Sequence, residues 1–146
     1  MMKNVVLVLL YDDEGKFLLQ LRDSDPTIAY PGHWGGFGGS LEEGETATVG
    51  ARREILEELN YSTDYLSFVN LRQLPDCLVN IFSCKLTVPP SELTLMEGLD
   101  MGLFSIDQIS TGVLYSKQMR QSYPVAAPLR TMCQEFIQSE ISISDD

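Results

Sequence analysis

An α/β fold in one domain is predicted by three features of this 146-residue chain. Apolar, β-rich runs open it at residues 5–11 and 16–22, a proline-free stretch over 47–59 has the length and flanks of a helix, and residues 124–141 repeat apolar side chains at helical spacing. Single hydrophobic cores serve roughly 100–200 residues, so residues 1–146 are expected to form one domain. Hydrophobic residues make up 44% and charged residues 21%, ordinary globular usage that excludes disordered, collagen-like and fibrous classes.

Taken in order, the two opening runs are joined by Asp12-Asp13-Glu14-Gly15, a sequence suited to a tight reversal, and read as a hairpin. Residues 23–31 form a loop. The following Gly32-His33-Trp34-Gly35-Gly36-Phe37-Gly38-Gly39 lets backbone approach a neighbour closely, and its interleaved Trp34 and Phe37 indicate a packed segment rather than a flexible connector. Thr46 is an N-cap for a helix over 47–59, and Asn60 closes it in the left-handed conformation. Strands are expected at 64–74 and 78–88 around a Pro75-Asp76 turn, a short strand near 103–104, and a helical turn at 106–109. The terminal helix presents Val125, Leu129, Met132, Cys133, Phe136 and Ile137 as its apolar face, ahead of a polar tail over 139–146.

Ten basic against 21 acidic residues give a net charge of −11. That field repels polyphosphate backbones and anionic membrane surfaces, so no nucleic-acid polymer and no membrane is expected as a partner. A small anionic substrate remains admissible, because a divalent cation held by acids reverses the local sign. The run at 5–10 is too short for a signal-peptide core and meets Tyr11-Asp12-Asp13 without a cleavage site, and no segment approaches the ~18 apolar residues of a membrane span. Cys77, Cys84 and Cys133 are odd in number and widely spaced, which suits reduced thiols in a cytoplasmic protein. His33 is the single histidine and belongs to a loop rather than to a catalytic dyad.

On the 47–59 helix, about 100° per residue places Glu54, Glu57 and Glu58 within one arc, with Val49, Ile55, Leu56 and Leu59 on the other side. Like charges at this spacing cost a helix a few tenths of a kcal/mol per pair, so something compensates them. Two readings stand on spacing alone: a solvated face with incidental pairs to Arg52 and Arg53, or oxygen ligands for hard cations such as Mg²⁺.

The surroundings decide between them. Gly39-x5-Glu45-x7-Arg53-Glu54-Ile55-x-Glu57-Glu58 resembles the box that defines the Nudix (MutT-like) hydrolases, Gly-x5-Glu-x7-Arg-Glu-U-x-Glu-Glu-x-Gly-U with U aliphatic. Asn60 replaces the last glycine and Tyr61 the final aliphatic residue. Trp34-Gly-Gly-Phe37-Gly38-Gly39 is similar to the family's Trp-x-x-Pro-Gly-Gly entrance, with Phe37 in the proline position. The resemblance implies an α/β/α sandwich with a mixed β-sheet and a loop–helix–loop at the box.

It also implies hydrolysis of a nucleoside diphosphate linked to another group, with Mg²⁺ or Mn²⁺ as cofactor. Glu57, Glu58, Glu54 and the Gly39 carbonyl are then metal ligands, and Glu54, Glu57 and Glu97 the catalytic set, with Glu54 or Glu97 receiving the water's proton. Glu45 and Arg53 support the loop against the helix. Arg22, Phe37 and Gly38 lie beside the substrate, and Asp100 is a second acid of the later loop that carries Glu97. Trp34, Phe37, Tyr115 and Tyr123 are candidates for stacking on a base. The expected reaction is that of a nucleoside-triphosphate pyrophosphohydrolase releasing a nucleoside monophosphate and pyrophosphate. The alternatives are an ADP-ribose or nucleotide-sugar pyrophosphatase, or a non-catalytic nucleotide-binding domain. The partner is a small nucleotide. A homodimer is common among such enzymes.

Overall fold

The computed structural model describes residues 2–144, with side chains through 140. In chain order the elements are β1 (Lys3–Tyr11), β2 (Phe17–Leu21), β3 (Trp34–Gly35), β4 (Phe37–Ser40), α1 (Ala47–Leu59), β5 (Ser67–Gln73), β6 (Cys77–Lys85), β7 (Asp100–Phe104), α2 (Ile106–Ser110), β8 (Val113–Ser116), β9 (Gln121–Pro124) and α3 (Ala127–Ser144). They group into two compact units that interleave along the chain, one from the start to Glu14 and over Gly36–Met96, the other over Gly15–Gly35 and from Glu97 onward.

In the first unit β1 lies parallel to β6 and antiparallel to β4, while β5 runs antiparallel to β6, so the sheet is mixed. Parallel neighbours need a long crossover, and α1 lies within the one between β1 and β6. Val6, Val8 and Leu10 of β1, Ile81 and Phe82 of β6, Phe37 of β4, and Ile55 and Leu59 of α1 form the core. The register sets Gly39 opposite Val6 and Gly38 opposite Leu7. There a Cβ on Gly38 would lie 2.0 Å from the Val6 carbonyl oxygen, so only glycine fits.

Helix α1 forms where its local signals place it. Thr46 Oγ1 accepts from the Val49 N–H at 3.3 Å, and Asn60 takes the left-handed conformation (φ 54°, ψ 37°) while its N–H donates to the Leu56 carbonyl at 2.9 Å. Its buried stripe is Gly50, Ala51, Ile55, Glu58 and Leu59. Val49 and Leu56, expected beside Ile55, are 52% and 49% exposed. They stand seven residues apart on a separate stripe, turned away from the Ala51–Ile55–Leu59 row that meets the sheet. Tyr61 is buried, and its hydroxyl lies 2.8 Å from Thr87 Oγ1, so the residue at the box's last aliphatic position keeps a hydrophobic place and adds a polar tie. β5 begins at Ser67 rather than at 64.

In the second unit β2 pairs antiparallel with both β3 and β7, and all five of its residues are buried. The Phe136 ring of α3 meets Phe17 edge-on at 6.1 Å. Trp34 is fully buried, edge-on to Phe104 at 4.9 Å, with its indole N–H donating to the Leu114 carbonyl at 3.0 Å. The β8–β9 hairpin was not foreseen. It displaces the expected helix start from 124 to Ala127, because Pro124 pairs with Val113 and Val125 bridges to Trp34. Helix α3 continues to Ser144, so most of the expected tail is helical; Asp145 and Asp146 lie outside the described residues. Among the described residues, no helix is long and apolar enough to cross a membrane. The three cysteines are free thiols, and burial pushes that of Cys133 up to about 12.

Candidate active site

The sequence-predicted residues of the box all lie in the first unit, on β4, the loop after it and α1. Arg53 is their hub. Its Nε donates to Glu45 Oε2 at 2.7 Å and its Nη2 to Glu45 Oε1 at 2.8 Å, a two-pronged pairing, while Nη2 also reaches the Ser40 carbonyl at 3.1 Å. Its Nη1 donates to Glu54 Oε1 at 3.0 Å and to Glu57 Oε2 at 3.2 Å. Glu42 stands 3.7 Å away. The Arg53 bonds, reinforced by the Glu42 N–H, hold the Glu45 carboxyl at a pKa of about 2, and the Glu45 pairing in turn raises that of the guanidinium.

The carboxylates differ in exposure. The Glu57 side chain is 57% exposed, that of Glu54 13%, and Glu58 is buried, its Oε2 accepting from the Gly38 N–H at 3.0 Å. The Glu54 carboxylate rests against the Cα of Gly39, where a Cβ would lie 2.5 Å from Oε1. Helix and glycine strand are thus joined at two adjacent points, Glu58 to Gly38 and Glu54 against Gly39. Oxygen-only donors of this kind fit a hard divalent cation. Among the described residues, however, no three acidic, histidine or cysteine side chains are gathered into a metal-binding group. Arg53 pairs with Glu54 and Glu57, while Glu58 accepts from the adjacent Gly38 N–H.

Segment 94–96 is laced to the end of α1, with the Thr94 N–H donating to the Leu59 carbonyl at 3.1 Å and the Met96 N–H to the Glu58 carbonyl at 2.9 Å. Glu97 follows directly and is exposed. In the second unit, Gly98 (φ 91°) presses against the end of β2, a Cβ there falling 2.8 Å from the Leu21 carbonyl oxygen, and Leu99 N–H donates to that same carbonyl at 2.8 Å. Asp100 is committed to structure: Oδ2 accepts from the Ser116 hydroxyl at 2.7 Å and the Gln118 N–H at 3.3 Å, and Oδ1 from the Met101 N–H at 2.8 Å. It pins the β8–β9 hairpin rather than standing free in a loop. The sequence held no clear sign of this, since the exposed–buried alternation over 113–116 appears only in the structure.

Two substrate-side expectations change. Phe37 is fully buried in the core of the first unit, so its ring offers no surface to a substrate. Trp34 is likewise interior, whereas Tyr115 is 55% exposed and Tyr123 half-buried. The Arg22 Nε donates to the Ala29 carbonyl at 2.6 Å, and its stem covers Gly35, which ties down the loop after β2. His33 Nδ1 lies 2.8 Å from the Pro31 carbonyl oxygen, within that loop.

Comparison with known proteins agrees with this fold. The NUDIX domain profile matches residues 1–85. The oxidized purine nucleoside triphosphate hydrolase of Mus musculus is 34% identical over 114 residues, 72% of this chain and 69% of that protein. The MutT protein of Methanosarcina mazei Go1 superposes with a TM-score of 0.69 at 18% identity, covering 95% of each chain. The MutT NUDIX hydrolase of Burkholderia pseudomallei gives 0.70 at 18% identity over 92% of this chain and 97% of its own. A C. elegans Ap4A hydrolase binary complex gives 0.69 at 18% identity over 94% and 98%. The mixed α/β architecture is the Nudix fold, and the members of this family generally depend on a divalent metal. The chain belongs to the Nudix hydrolase family, MutT-like in kind, and is a hydrolase of phosphoanhydride bonds in small nucleotides.

Proposed function

We propose that this protein is a Mg²⁺-dependent nucleoside-triphosphate pyrophosphohydrolase that releases a nucleoside monophosphate and pyrophosphate. The observation that carries the reading is the Arg53 clamp, which sets Glu45, Glu54 and Glu57 around one guanidinium beside a glycine strand while Glu58 is held by Gly38. A purely soluble helix face has no use for that arrangement. The mouse relative, named for a triphosphate substrate, supports the substrate class.

In this reading Glu54, Glu57, Glu58 and the Gly39 carbonyl hold the cation. When bound it offsets charge gathering on the phosphate oxygens and acidifies a water. Glu45 and Arg53 fix the loop to α1 and orient Glu54 and Glu57. Glu54 and Glu97 are the two groups assigned to take the water's proton. Glu97 follows Met96, whose N–H donates to the Glu58 carbonyl. Gly38 and Arg22 keep the substrate-side roles that the family resemblance implies. The net charge of −11 disfavours a polyanionic polymer while a held cation keeps a small nucleotide admissible, and the free thiols fit a cytoplasmic enzyme.

The test is a panel of ordinary and oxidised nucleoside triphosphates, ADP-ribose and nucleotide sugars, assayed with Mg²⁺ in isotopically labelled water. Turnover of triphosphates to monophosphate and pyrophosphate supports the proposal. Preferential cleavage of ADP-ribose or a nucleotide sugar, or no turnover of any member, overturns it.

A further inference from the structure

An open depression of about 540 Å³ lies in the first unit. It lies past the carboxyl ends of the parallel strands β1 and β6, where Tyr11 pairs with Lys85. Gly38 pairs with Leu7, four residues back along β1, which at ~3.3 Å per residue is roughly 13 Å. The space beyond the carboxyl ends of parallel strands is where α/β sheets commonly receive ligands, because side chains diverge there without closing a core.

The floor of the depression is formed by the buried Ser83 and Leu86, and its rim by exposed side chains. Ser67 and Ser83 are partners across β5–β6, and strand parity puts them on the same face as Tyr11 and Lys85. Leu86 is buried, and its N–H donates to the Tyr11 carbonyl at 2.7 Å. Thr87 is tied to the Tyr61 hydroxyl both through its Oγ1 at 2.8 Å and through its N–H at 3.2 Å. Tyr61 replaces the family's aliphatic residue, so this tie is a feature of the present chain. Tyr65 stands at the rim, 70% exposed, an aromatic ring presented to solvent.

We propose that this depression is a second, non-catalytic site that binds an uncharged nucleoside, the base against the tyrosine rings and the ribose among the serine and threonine hydroxyls. Three properties select that chemistry. Aromatic rings favour a flat partner. Hydroxyls both donate and accept, which matches sugar hydroxyls and base edges rather than a purely apolar ligand. The wall carries one lysine, Lys85, paired at 3.0 Å with Asp13, rather than a basic cluster, which favours a neutral ligand over a phosphate. The volume is within the ~300–1,000 Å³ typical of small-molecule sites. The inference is independent of which phosphoanhydride the enzyme cleaves.

The experiment is an amide-shift NMR titration of isotope-labelled, metal-free full chain with adenosine, guanosine, adenine and AMP. Expected are saturable shifts at Tyr65, Ser67, Lys85 and Thr87 with a nucleoside, at a Kd of about 1 mM or tighter, with adenine and AMP both weaker. Tyr65→Ala is expected to weaken adenosine binding by about tenfold while hydrolysis continues at the parent rate, and Ser67→Trp, which fills the depression, to abolish the shifts. The proposal is overturned by an absence of saturable shifts at these residues, by AMP binding there more tightly than adenosine, by shifts confined to Gly38, Gly39 and α1, or by unchanged binding in both variants.

Discussion

Replacing Gly39 with alanine is expected to cripple turnover and leave the fold intact. The Gly39 backbone is outside the left-handed region, so alanine takes it without strain. The new methyl falls 2.5 Å from Glu54 Oε1, 2.7 Å from the carboxyl carbon and 2.8 Å from Oε2. Ordinary contacts start near ~3.5 Å, so the carboxylate withdraws by about 1 Å. Those atoms end a flexible side chain, and their retreat costs little stability. It does move a proposed metal ligand and proton acceptor off its position, and a displacement of ~1 Å costs about 10²-fold in kcat, or roughly 2.7 kcal/mol of barrier. Gly38→Ala is the control. Its methyl meets the Val6 carbonyl oxygen at 2.0 Å, backbone against backbone, so the two strands must part and the loss is in stability, ~1–3 kcal/mol. Steady-state pyrophosphate release and thermal denaturation read the two effects separately. A Gly39→Ala enzyme with parental kcat, or one that loses as much stability as Gly38→Ala, would refute the reasoning.

Further outcomes follow from the same contacts. Glu45 titrates near 2 when folded, against 4.5 when unperturbed, so its contribution to stability is complete above about pH 4.5 and lost as the pH falls towards 2. Denaturant unfolding from pH 5 to pH 2 should show a shallower decline for Glu45→Gln than for the parent. Asp100→Ala strips the fully buried Ser116 hydroxyl of its acceptor, an expected loss of ~1–3 kcal/mol, with faster hydrogen exchange confined to the hairpin over 113–124. Trp34→Phe removes the indole N–H from the Leu114 carbonyl and leaves space in the core, an expected ~1–3 kcal/mol by chemical denaturation, with Mg²⁺ affinity unchanged.

What the sequence discloses depends on how local the deciding interactions are. Helix α1 was legible to the residue because Thr46 and Asn60 act within one turn of themselves, whereas the Glu45–Arg53 pair was legible only through the resemblance to the Nudix box. The β8–β9 hairpin was not. Its turn has no glycine or asparagine, the left-handed residue is Arg120 (φ 59°), and what holds it is Asp100, far away along the chain. Phe37 read as a substrate residue by its place in a motif, whereas its environment is settled by β1 and α1 closing over it, a tertiary fact with no local signature. Glu54, Glu57 and Glu58 share an arc by helical geometry alone, and only the three-dimensional positions of Arg53 and Gly38 show which partner each carboxylate takes.

The central claim, that the carboxylates of α1 hold a divalent cation for phosphoanhydride hydrolysis, is tested most directly by titrating Mn²⁺ into isotope-labelled protein and mapping the paramagnetic broadening of amide signals, in the parent and in Glu57→Gln. Broadening centred on Gly39 and residues 54–58, weakened in Glu57→Gln together with its turnover, is the expected result. Broadening located elsewhere, or a Glu57→Gln enzyme that binds Mn²⁺ and hydrolyses triphosphate as the parent does, would contradict it.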